Sequence, residues 1–265
     1  MDAMTQGLPS GSSSSDVPAS ESLASGNVPS KVRASETLAS ETLASETRAS
    51  ETLASATLAS GDHLIRDEAG LNAIYGEIPP GALAKEIDFI HPHYRAMIEA
   101  SPFMVLATSG PGGLDASPRG DPAGSFIQVA DERTVLIPDR RGNNRVDSLR
   151  NIVHDPRVAL LFLIPGVGET LRINGRAVIS TAPDLLARFP FRDTLPRSVI
   201  VVHVDTVYFQ CPKAIVRSEL WNPAKQISRK ALPSTGTILA DITAGKVGGV
   251  EYDNAYPERL RTTLY

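Results

Sequence analysis

Cysteine is almost absent from this chain. Cys211 is the only one in 265 residues, so no intrachain disulfide can form and a cluster of thiolate metal ligands is excluded. Long apolar runs are missing too: none approaches the ~18 residues of a membrane span. The first residues show no basic segment followed by an apolar one, so a secretory signal is not expected and a cytoplasmic, reducing location fits. A basic excess is also lacking. Residues 1–60 hold seven acids and three bases, which accounts for the whole net charge of −4, and the remaining 205 residues balance at 23 of each sign. A neutral domain argues against a nucleic-acid surface. The five histidines make no metal motif: His91 and His93, two apart, would diverge by ~200° on a helix. No Ser-His-Asp order, HExxH or Gly-rich nucleotide loop occurs, and the carboxylates are too scattered to suggest a divalent metal site.

What is present first is a repeat. From Ser10 to Ser60 a serine falls on every fifth position, and after Glu36 the unit becomes ETLAS, ETLAS, ETRAS, ETLAS, ATLAS. A five-residue step turns a helix by ~500°, so successive leucines never form a stripe. In a strand the odd period puts them on opposite faces. A pentapeptide solenoid would bury Glu36, Glu41 and Glu51 where it needs small residues, at a prohibitive cost in desolvation. Residues 1–60 are therefore expected to be a disordered, low-complexity tail, and 61–265 to hold the folded domain.

About 205 residues suffice for one core without staples. Ala84 to Ala100 has Ile87, Ile90, Tyr94, Met97 and Ile98 at helical spacing, with a kink or fresh start at Pro92. Strands are expected at 103–108, 114–118, 125–130, 134–137, 157–164, 170–181 and 198–209, with a hairpin at Pro111-Gly112-Gly113. Between them, 146–153 reads as a helix with Val146, Leu149, Ile152 and Val153 on one face, and 182–189 as a short helix. Pro212 suits the first turn of another, leading to Trp221. Helices close the chain at 235–244 and 250–264. Seven short strands with few intervening helices predict a mainly β domain with flanking helices, its antiparallel sheet closing into a small barrel.

The segment from Val135 to Gly166 carries most of the functional information. A strand runs into Asp139, Arg140, Arg141, Gly142, Asn143, Asn144 and Arg145, and a helix follows. Amides and guanidiniums at a helix start are what a bound phosphate needs: free N–H groups, the positive end of the helix dipole and planar donor forks. A solvated basic turn capped by Asn143 or Asn144 would use the same residues. Arg119 lies just beyond a strand whose partner ends at Asp139, so the two could face one ligand; a hairpin ion pair with Asp121 is the other reading. Cys211 reads as a small buried filler.

The order of apolar strand, Pro138-Asp139-Arg140-Arg141-Gly142-Asn143-Asn144-Arg145, helix and Asp155-Pro156-Arg157-Val158 resembles the pyridoxamine 5'-phosphate oxidase-like FMN-binding proteins, in particular a bacterial branch of FMN-dependent enzymes. Further segments agree in order: Ser101 to Ser109, Asp115 to Asp121, Glu169 to Ala177, and Cys211-Pro212-Lys213-Ala214 with Arg217-Ser218 and Leu220-Trp221. Together they span about residues 84 to 240. The resemblance implies the antiparallel FMN-binding split barrel, with FMN as cofactor and a homodimer building each site at its interface. It implies that Asn143, Asn144 and Arg145, helped by Arg141 and Arg119, take the FMN phosphate, and that the backbone of Ile137 to Asp139 meets the flavin ring. Thr170 and Arg172 open the strand that contributes a polar side chain to the flavin; the family's glutamine is missing here. Lys213 would favour the reduced, anionic ring or else be a solvated lysine. Arg217 falls in the same C-terminal part, and Trp221 would cover the ring or plug the core. The implied activity is an FMN-dependent oxidoreductase acting on a small molecule, with a flavin or haem carrier on the same barrel as the alternative. The chain lacks the family's C-terminal tryptophan followed by an Arg-rich run, which argues against vitamin B6 oxidation.

Overall fold

Alternation along Phe103–Gly110 (β1) sends Met104, Leu106 and Thr108 into the interior, where all three are buried, and leaves Val105 and Ala107 half-buried on the opposite face. The computed structural model describes residues 64–192 and 194–264, so the expected tail over 1–60 lies outside the described residues. The chain divides into two units, 1–76 and 77–265. In the first, helix α1 (Glu68–Ile74) is capped by Asp67, which accepts a hydrogen bond from the Gly70 N–H at 2.8 Å, and buries none of its residues.

The second unit carries the sheet. Gly113, at φ 103°, makes the left-handed turn that returns β1 into β2 (Gly113–Gly120). Five strands follow: β3 (Gln128–Asp131), β4 (Thr134–Asp139), β5 (Arg157–Leu163), β6 (Thr170–Ser180) and β7 (Ser198–Gln210). They join as one seven-stranded sheet in the order β2-β1-β5-β6-β7-β4-β3, each neighbouring pair antiparallel. At Gly175 the β6–β7 register shifts, and an added Cβ there would lie 2.1 Å from the His203 carbonyl oxygen, so only glycine fits the bulge.

One cluster, including Met104, Val135, Ile137, Leu160, Phe162, Leu171, Ile173, Ile200 and Val202, draws on strands from across the sheet, which curls around it. Each such side chain contributes roughly 1.5–3 kcal/mol on burial. A smaller cluster of Leu136, Phe189 and Val199, with Leu185 and Leu186 from helix α5 (Pro183–Leu186), covers the other face of β4 and β7. That double cover explains the unbroken apolar run at 199–202.

This is the mainly β, split-barrel-like fold, but the sheet does not close by hydrogen bonding. β2 and β3 are its two free edges. β2 stops at Gly120, and after Asp121, whose N–H donates to the Pro102 carbonyl at 3.2 Å, comes Pro122, with no N–H to donate. Nor is 84–100 one helix. Helix α2 (Pro80–Ala84) ends early, Ile87 bridges Val207 of β7 with bonds of 3.1 and 2.8 Å, and helix α3 (Pro92–Ala100) starts afresh. The residue before a proline is pushed out of the helical region, and His91 is extended at φ −60°, ψ 149°.

The remaining α-helices among the described residues are α4 (Asp147–His154), α6 (Lys213–Ser218), α7 (Thr235–Ile242) and α8 (Gly249–Thr263). α4 buries Ser148 and Ile152, whereas Val146 and Val153, expected on its inner face, are 40% and 74% exposed. The left-handed turn at Val146 places that residue before the helix, and Val153 falls outside the stripe set by Ser148 and Ile152. α7 and α8 cross closely: a Cβ on Gly236 would stand 2.2 Å from the Gly249 carbonyl oxygen, and the Gly236 N–H donates to Asp253 at 2.7 Å. Among the described residues no helix is long and apolar enough to cross a membrane.

Candidate functional site

Where β2 and the β4 end of the sheet approach without a ladder, side chains span the gap. Arg119 of β2 donates to Asp139 at the end of β4 at 2.5 Å, and Arg140 donates to Asp121 just beyond β2. Arg119 therefore lies within β2, opposite Met104 of β1, and its carboxylate partner is Asp139 rather than Asp121. Local spacing had suggested the hairpin pair; the curl of the sheet brings the distant one closer. Arg119 Nε is left buried with no hydrogen-bond partner among the described residues.

Beside this seam opens a cleft of about 670 Å³, walled by β2, the end of β4, the 140–146 loop and the first turn of α4. Arg119, Asp139, Arg141, Asn143, Asn144 and Arg145 all line it. The loop is held in an unusual shape. Asn144 and Val146 are left-handed at φ 62° and 51°, a conformation that costs a β-branched valine roughly 1–3 kcal/mol. Asn143 accepts from the Arg145 N–H at 3.0 Å, an Asx turn. Neither asparagine caps α4. Its N-cap is Val146, without a side-chain bond, and Asp147, Ser148 and Leu149 of the first turn line the cleft. A helix start uncapped by side chains thus faces the cavity.

Charge in the cleft is largely paired. Arg145, with a side chain 76% exposed, donates from Nε to Asp147 at 2.7 Å, and that hydrogen bond raises the guanidinium's pKa. Ser148 donates to Asp115 at 2.6 Å and Asn151 to Thr108 at 3.1 Å, fastening α4 to β2 and β1. Arg141 and Arg197 line the cleft with no ion pair among the described residues. Leu264, just past the end of α8, supplies an apolar patch of wall. Sequence reasoning missed Arg197, Asp115, Asp147 and Leu264; of these only Arg197 had a signal, since it immediately precedes the strand that pairs with β4.

The other expected site residues do not line this cleft. The Ile137 side chain is fully buried in the core. Thr170 donates to Gln210 at 3.3 Å and Arg172 to the Tyr208 hydroxyl at 3.1 Å, both half-buried on the outer face of β6 and β7. Lys213 and Arg217 are exposed on α6. Trp221 is half-buried and donates from Nε1 to the Val167 carbonyl at 2.7 Å, fixing the β5–β6 loop instead of plugging the core. Cys211 is exposed and not a buried filler, because β7 has by then run out past the core.

A split-barrel-like domain with an arginine-lined cleft at its seam, floored by a helix start, defines the class. Residues 90–211 match the family model for pyridoxamine 5'-phosphate oxidase, and it is through that segment that the chain is similar to this family. No curated protein matches it. Among solved structures it is similar to Group A Streptococcus HupZ, at 16% identity over 46% of this chain and 94% of that one with a TM-score of 0.39. It is also similar to a Clostridium acetobutylicum protein related to general stress protein 26, of the pyridoxinephosphate oxidase family (11% identity, 45% and 86% covered, TM-score 0.35). General stress protein 26 of Bacillus anthracis is a third (17%, 43% and 88%, TM-score 0.30).

Proposed function

We propose that the protein is an FMN-dependent oxidoreductase acting on a small molecule. The observation that carries this reading is the convergence of Arg119, Arg141, Asn143, Asn144 and Arg145 with the uncapped start of α4 on one cleft. Its volume falls in the ~300–1,000 Å³ range of small-molecule sites. The residues fit a phosphate ester: the partnerless Nε of Arg119 is a donor that a phosphate oxygen would satisfy, and the first-turn N–H groups add more. In this reading Arg141, Arg145 and Arg119 neutralise the phosphate while the 140–146 loop fixes its position. FMN, when bound, supplies a ring that accepts or donates a hydride.

Thr170, Arg172, Lys213, Arg217 and Trp221 then serve the ring end from a second copy of the chain in a homodimer. The outer face of the sheet supports such pairing. Phe103 and Val105 of β1 and Leu161 and Leu163 of β5, exposed or half-buried among the described residues, form an apolar band there. An absorption spectrum of the purified protein, with the released cofactor weighed by mass spectrometry, tests the reading. The expected outcome is a flavin spectrum and the mass of FMN; a colourless protein that does not quench FMN fluorescence would rule it out. Reduction by a nicotinamide cofactor with steady turnover separates an enzyme from a flavin carrier, and a haem spectrum would point to a haem carrier.

A further inference from the structure

Arg197 immediately precedes β7, and its N–H donates to the Asp139 carbonyl at 3.1 Å, extending the β4–β7 pairing by one step to the rim of the cleft. Its guanidinium donates to Asn144 Oδ1 at 2.9 Å. Three arginines of the cleft are held by carboxylates, but among the described residues Arg197 is held by a neutral amide alone, which orients its charge without cancelling it. Asn144 adopts the left-handed conformation that asparagine tolerates better than most residues, and in that conformation its side chain reaches Arg197.

We infer that Arg197 is a phosphate-binding residue of the cleft and that Asn144 is a positioning residue acting through it rather than a direct ligand. The inference rests on the FMN reading for the identity of the ester, but on the cleft itself for the phosphate. A planar guanidinium already oriented by one N–H keeps its other donors for two oxygens of a phosphate. Asn144, having committed its oxygen to Arg197, matters to the ligand only while Arg197 is present.

Titrations of FMN and riboflavin against the full-length wild type, Arg197→Ala, Arg197→Lys, Asn144→Ala and the Ala double variant test this. Arg197→Ala is expected to weaken FMN about ten- to a hundredfold, the worth of one charge-assisted contact, and riboflavin less than about threefold. Arg197→Lys, keeping the charge without the fork, should recover part of the loss. Asn144→Ala should cost FMN several-fold alone and nothing further beside Arg197→Ala, the mark of two residues acting as one. Wild-type FMN affinity in Arg197→Ala, or equal losses for FMN and riboflavin, would overturn the role of Arg197. An undiminished Asn144 effect in the Arg197→Ala background would overturn the role of Asn144. If the wild type binds neither flavin, the FMN reading falls alone provided inorganic phosphate raises the melting temperature of the wild type and not of Arg197→Ala. Absence of that difference removes Arg197 as well.

Discussion

At the scale of single residues, the seam depends on charges that are mostly out of water. Arg119 and Asp139 stand 2.5 Å apart with side chains 18% and 12% exposed. Removing one partner of a fully buried pair costs about 3–5 kcal/mol because the other charge is left uncompensated; the residual exposure here lowers the expectation to about 2–3 kcal/mol. Asp139→Ala should therefore lower the unfolding free energy, read from the denaturation midpoint and slope, by that amount, and adding Arg119→Met should recover much of it. An unshifted midpoint in Asp139→Ala would mean the seam is held by other contacts. Arg145 is different in kind: it is exposed and already engaged by Asp147. Arg145→Ala is expected to weaken FMN by about tenfold, the low end for a charge-assisted contact, and to leave riboflavin unchanged. Asp147→Asn, by releasing Arg145, should strengthen FMN a few-fold; both are read by flavin fluorescence.

Among the elements, the turn from α4 into β5 shows how local charge shapes a pH response. A hydrogen bond from Arg157 is the main cause holding the Asp155 carboxyl at about 2, below its ordinary value of 3.8. A carboxylate with a depressed folded-state pKa adds stability above its unfolded pKa and loses it as pH falls towards the folded one. The gap in urea midpoint between wild type and Asp155→Asn should thus be constant above about pH 4 and close as pH falls towards 2. A gap that persists at low pH would place the contribution elsewhere. Elements such as this turn were legible because their signals are local: alternation in β1, Gly113 at the hairpin, Pro92 at the start of α3, and Asp-Pro before β5. The stretch at 85–91 was not, because Ile87 and Ile90 sit at helical spacing while a bond to Val207, far along the chain, holds Ile87 extended. The candidate site divides in the same way. The 139–145 loop could be read from its own composition, but Arg197 joins it only through β4–β7 pairing, and the Arg119–Asp139 partnership exists only once the sheet has curled.

For the whole molecule, assembly and cofactor binding are expected to share one free energy. The apolar band on the outer face and the separation of Thr170, Arg172 and Trp221 from the cleft both favour a site finished by a second copy. In light scattering, a chain beginning at Gly61 should remain a dimer when loaded with FMN, and dilution should release flavin in step with dissociation. A monomer that keeps its flavin would refute shared sites. The cleft has one more consequence, in time rather than in affinity. Among the described residues five arginines and four aspartates line it, leaving a single net positive charge. Attraction from a distance follows that sum, whereas grip at contact follows the individual donors. A dianionic ligand should accordingly arrive at an unassisted rate, changing less than about threefold between about 20 and about 300 mM salt, against the ~10- to 1,000-fold of strongly focusing clefts. Retention would then be set by slow escape from the donors rather than by swift capture, and a long residence time would be the kinetic signature of a pocket that neutralises itself.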